Sequence, residues 1–200
     1  MLDQKKSLAL TAGFYYQAGK DRDAQKLSAY TSTLSLAYTK NKFTYTIGWD
    51  YVSGNDAFSS ASVNHRFDPL YGTPHKFWGF MDYFYVATGS PAGGLSNQFL
   101  KAKYTSKSKR LAATLDYHYF SLAKDQKGAN GTAIKKYLGS EIDFIAFYSL
   151  NKFTTLEWGT SLMAASKSME YAKALTPGSS KLTGFWSYLS VNITPGFLLK

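Results

Sequence analysis

Large apolar residues occupy every second position over much of this chain. Phe43, Tyr45, Ile47, Trp49 and Tyr51 alternate with Thr44, Thr46, Gly48 and Asp50, and the stretch from Leu111 to Tyr119 repeats the pattern. A two-residue period belongs to a β-strand with two unlike faces. Read along the chain, it predicts eight strands, near residues 8–17, 30–39, 43–51, 99–104, 111–120, 141–148, 156–162 and 185–193. Polar clusters separate them: 19–23, then Lys40-Asn41-Lys42, a long connection at 56–94, Ser106 to Lys109, 124–131, Asn151-Lys152, and a stretch through Pro177-Gly178-Ser179-Ser180. Connections after the first, third, fifth and seventh strands are the longer ones, so all long loops fall at one end. Residues 67–86 form the one extended interruption of the alternation.

Parity sorts the charges. One face collects Asp50, Lys101, Lys103, Asp116, His118, Glu141, Asp143 and Glu157, together with many Thr, Ser, Gly and Ala. The opposite face is almost free of charge. A charge facing lipid near the midplane costs about 2–4 kcal/mol, which makes this sorting the expected one for a membrane barrel with a polar lumen. Trp186, Tyr188 and Phe147 are bulky members of the inward set.

Composition refines the picture. Mean hydropathy is −0.27 and hydrophobic residues make up 44%, yet no apolar run approaches the ~18 residues of a membrane helix, whereas a spanning strand needs only about 9–11. Aromatics reach 17%, with 16 Tyr and 14 Phe, the material for girdles at two membrane interfaces. Cysteine is absent, which removes disulfides and thiolate metal sites. The first six residues lack the apolar core of a signal peptide, so an exported barrel is expected here as a mature chain or a fragment. The net charge of +10 is scattered over turns at Lys40, Lys42, Lys107, Lys109, Arg110, Lys152, Lys167, Lys173 and Lys181, which argues against a nucleic-acid surface.

The expectation is an all-β fold: an antiparallel, up-and-down transmembrane β-barrel with about eight strands in this chain, either complete or part of a larger barrel. It forms one domain over 1–200, with 56–94 as a long extracellular or pore-constricting loop.

Gly48-Trp49-Asp50-Tyr51, Ser53-Gly54-Asn55, Leu70-Tyr71-Gly72-Thr73-Pro74-His75-Lys76-Phe77 within 67–86, Pro91-Ala92-Gly93-Gly94-Leu95 and Asp116-Tyr117-His118 together resemble the alginate-export family of outer-membrane barrels, in its Bacteroidota form. The chain is similar to the C-terminal part of such a protein. The resemblance implies passage of anionic polysaccharide or other solutes through a basic lumen. Eight strands and an inward set richer in acids than bases depart from that pattern.

Two lumen ammonium groups, Lys101 and Lys103, could guide an anion or pair with Glu141, Asp143 or Asp116. Arg66, His75 and Lys76 are candidates for a loop constriction or substrate contact, or are solvated loop residues. His118 stands two residues from Asp116, but no serine is placed to form a nucleophile with it. Asp50, Asn55 and Asp56 could offer oxygens to Ca²⁺ or could cap the loop. No catalytic residue, metal or cofactor is expected. The function expected is that of an outer-membrane porin or exporter in a Gram-negative bacterium, passing small or anionic solutes by diffusion, with membrane lipid and lipopolysaccharide as surroundings and no nucleic-acid partner. The alternatives are a narrow plugged barrel that binds or adheres through its loops, or a subunit whose open strand edges pair with another chain.

Overall fold

The computed structural model describes residues 6–60, 62–69, 77–84 and 90–195. The eight alternating stretches form strands β1 (Lys6–Lys20), β2 (Lys26–Lys40), β3 (Phe43–Val52), β5 (Leu95–Thr105), β6 (Leu111–Ser121), β7 (Tyr137–Ser149), β8 (Thr154–Ala165) and β9 (Thr183–Ile193). Each pairs antiparallel with the next, in the order β1-β2-β3-β5-β6-β7-β8-β9. Two elements were not anticipated by the alternation. A two-residue strand β4 (Val63–Asn64) runs parallel to the start of β2, and helix α1 (Lys167–Ala172) lies in the last long connection.

The up-and-down sheet is therefore as expected, but its closure into a barrel is not found. Among the described residues β1 and β9 pair only with β2 and β8, so the sheet has two open edges. The packing of the long loop gives the reason. An eight-stranded barrel is just wide enough for its own side chains, and here Trp78, Phe84 and Phe67 from that loop lie buried against Phe120, Leu138 and Met163 of the sheet. Eight strands cannot wrap around both.

Register keeps the two faces distinct across the whole sheet. One row runs Leu36, Ile47, Leu100, Tyr117, Ile142, Leu162 and Phe185; the adjacent row on the other face runs Thr46, Lys101, Asp116, Asp143, Ser161 and Trp186. The apolar face is exposed, with Leu10 at 70% and Leu189 at 73%. Several of its polar atoms satisfy one another: Trp49 Nε1 donates to Ser96 Oγ (2.8 Å), Trp158 Nε1 to Ser187 Oγ (3.2 Å), and Tyr117 shares a hydrogen bond with Ser140 (3.0 Å). Aromatic contacts gather at two levels, Tyr30–Tyr51 and Tyr119–Tyr137 toward the long loops and Phe43–Tyr104 toward the short turns.

On the polar face two glycines seat aromatic rings from the next strand. A Cβ on Gly48 would come within 2.2 Å of the Phe99 ring, and one on Gly159 within 2.1 Å of Tyr188. Both rings thus lie flat across their neighbour, and the bulk expected of Tyr188 stays against the sheet. Gly48→Val should displace Phe99 and destabilise the fold by about 1–3 kcal/mol, read as a lower midpoint in denaturant unfolding. The double variant Gly48→Val/Phe99→Ala should recover part of that loss.

Candidate functional site: the polar face and its covering loop

The long connection leaves β3 and rejoins at β5 through a backbone crossing. Asn55 N–H donates to the Ala92 carbonyl at 2.7 Å, and a Cβ on Gly54 would meet Gly94 N at 1.9 Å, so only glycine allows the approach. Within the loop, Gln17 grips Asp68 at both ends, its amide donating to the Asp68 carbonyl (2.6 Å) and its carbonyl accepting from Asp68 N–H (3.0 Å). Arg66 donates through Nε (2.9 Å) and Nη2 to the Ser90 carbonyl, and Ser90 Oγ donates to the Phe67 carbonyl.

These ties turn residues 77–84 down onto the polar face. Phe84 meets Phe120 at 4.7 Å between ring centres. Met81 N–H donates to Glu141 Oε1 at 2.9 Å and Phe80 N–H to Asp143 Oδ2 at 3.4 Å. Both carboxylates are fully buried. Gly79, at φ 87°, lies so close to the Glu141 carboxylate that a Cβ there would be 2.6 Å from Oε1.

Beneath the segment, side chains from five strands join. Thr33 Oγ1 and Asn97 Nδ2 donate to the two Asp50 oxygens (2.6 and 2.9 Å). With its amide nitrogen committed, Asn97 turns Oδ1 to His118 Nδ1 (2.9 Å), so Nδ1 carries the proton and Nε2 faces Asp143 Oδ2 at 3.8 Å. Lys101 Nζ binds Asp116 Oδ2 at 2.8 Å. Among the described residues Asp116 Oδ1, Glu141 Oε2 and Asp143 Oδ1 have no hydrogen-bond partner. Between the loop and β1–β3 lies a cleft of about 510 Å³, bordered by Tyr15, Thr33, Asp50, Phe67, Phe77 and Trp78.

Register puts Asp50, Lys101, Lys103, Asp116, His118, Glu141, Asp143 and Glu157 on one face, and the fold splits them by role. Lys101 is paired, His118 is held between Asn97 and Asp143, and Glu141 and Asp143 hold the loop. Glu157 is set apart, accepting from Tyr188 and from Asn192 Nδ2 (3.0 Å). Lys103 is exposed and has no acidic partner among the described residues. Arg66 sits at the loop base, and His75 and Lys76 lie outside the described residues. Asp56 caps Phe58 N–H (2.8 Å) and Asn55 Oδ1 accepts from His65 N–H (2.6 Å), so neither is directed at a shared cation. Among the described residues no three His, Cys, Asp or Glu side chains are placed to hold a metal ion. Asn97, Gly79 and Lys173 escaped the sequence reading. Asn97 shares the parity of Lys101 and was within reach, whereas nothing local distinguishes Gly79 or Lys173.

Two charges at the long-loop end are shifted by their surroundings. Gly178 and Ser180 N–H groups donate to Glu170 (2.8 and 3.0 Å) and hold its carboxyl below the usual range. Burial, reinforced by the charge of Arg66, lowers the Lys173 ammonium from 10.5 to about 8, with Nζ lying 5.4 Å from the Phe84 ring centre.

No family model and no curated protein matches the chain.

Replacing Glu141 by Ala strips the acceptor from a buried N–H, a loss of about 1–3 kcal/mol; faster limited proteolysis within 77–84 than in the parent protein is the expected readout. For Lys173 the folded value is the lower one, so the unfolded chain binds more protons between about pH 8 and 10.5. Its contribution makes stability rise with pH across that window, and a Lys173→Met variant should lose this part of the rise in thermal unfolding.

Proposed function

We propose that this chain is part of an outer-membrane pore through which small, chiefly anionic solutes diffuse. The observation that carries the reading is the division of the sheet. Among the described residues the apolar face has no charged side chain between the strand ends, several of its polar atoms pair among themselves, and aromatic contacts lie at two levels. Lipid demands such a surface, because an unpaired polar group there costs several kcal/mol. From Phe43 to Tyr51 the strand covers about 26 Å at 3.3 Å per residue, or about 20 Å of height at a tilt near 40°, most of the ~25 Å of a barrel's apolar band.

Open edges also cannot face lipid, so β1 and β9 pair with further strands in the membrane, from this polypeptide or another. That arrangement gives the lumen the width the loop requires. The 77–84 segment then narrows the mouth over β5–β8 and leaves passage along β1–β3. The acids that outnumber the bases on the polar face are engaged: Asp50 by Thr33 and Asn97, Asp116 by Lys101, Glu141 and Asp143 by the loop, and Glu157 by Tyr188 and Asn192. Lys103 remains available to solutes, which favours anions. Similarity to alginate-export proteins suggests an acidic polysaccharide as one such solute.

The expected result in a planar bilayer is stable channel openings with anion preference, and Lys103→Glu should shift the reversal potential toward cations without abolishing openings. A folded protein that inserts and stays silent would instead favour a plugged barrel acting through its loops.

A further inference from the structure

We propose that Arg66 and Lys173 form an oxyanion-binding site at the long-loop end, taking the carboxylate, sulfate or phosphate group of a solute. Arg66 commits Nε and one Nη2 hydrogen to the Ser90 carbonyl, which fixes the guanidinium plane and leaves Nη1 and the other Nη2 hydrogen to donate outward. Lys173, which caps the C-terminal end of α1, reaches the same buried cluster from a different connection, lying over Phe84. Ser90 bonds the Phe67 backbone, and Phe67 and Phe84 belong to one buried cluster with Met169 of α1. Neither cation has an acidic partner among the described residues. The Arg66 charge acts on Lys173; like charges without a counterion repel each other, and an anion between them removes the repulsion.

Other charges on the elements packed here are Lys167 and Glu170 on the helix and Asp82 on the segment that carries Phe84, beside Tyr83. Glu170 is occupied by the Gly178 and Ser180 amides. The site belongs to the polar side of the sheet, because Phe84 packs against Phe120 of that face with the rings tilted. A solute entering along this face meets it before Lys103, whereas lipid headgroups would lie against the opposite face. The reading of that end as a mouth rests on the proposed pore; the anion site itself does not.

The test is titration of sulfate into the detergent-folded protein, followed by the ¹³Cε signal of Lys173. Saturable change is expected at about pH 6.5, weakened at least about tenfold at about pH 9.5 as the ammonium discharges around its value of about 8. Lys173→Met and Arg66→Gln should each abolish saturation, the former read on the Arg66 ¹⁵Nε signal, and Lys173→Arg should bind equally at both pH values, read on the same Arg66 signal. Absence of saturation in the parent protein, or unchanged binding in Arg66→Gln, would overturn the proposal. Binding without channel openings would sink the pore and leave the site; openings without binding would do the reverse.

Discussion

Two buried carboxylates need donors, and the way they obtain them organises this molecule. Glu141 and Asp143 point from β7 toward a polar face that is shielded from water by residues 77–84. Burying a carboxyl group without hydrogen bonds is costly, and β7 offers no donors, since its own amides are used in the ladders with β6 and β8. The Phe80 and Met81 amides supply the bonds, and in doing so fix a segment that has almost no regular structure of its own. Gly79 makes the contact possible by presenting no side chain where the carboxylate sits.

The same economy of contact spreads outward. Asp50, Asn97 and His118 link β3, β5 and β6 by side-chain bonds, with Asp143 of β7 beside the ring, in addition to the backbone ladders. Cross-strand seating of Phe99 on Gly48 and Tyr188 on Gly159 keeps large rings flat, so the polar face stays low where the loop does not cover it. The loop covers β5–β8 and leaves a cleft over β1–β3. In the proposed pore this asymmetry is the constriction, and Arg66 and Lys173 stand at its approach.

Alternation of residues determined the strands, their number among the long elements, their order and the face of each side chain, because a period of two is a local property and a one-residue slip would turn every apolar group to the wrong side. The Ile47, Leu100, Tyr117 row and the Lys101, Asp116, Asp143 row were legible in this way. The turn lengths placed the long connections at one end for the same reason. What the chain did not reveal by itself depends on residues far apart in sequence. That Lys101 is neutralised while Lys103 has no acidic partner among the described residues, that Glu141 and Asp143 serve the loop, that Lys173 and Arg66 border one buried cluster, and that the eight long strands stay unclosed among the described residues were decided by tertiary packing. Hydrogen-bond partners and excluded volume are set by which distant groups arrive at one point, and no local period encodes that.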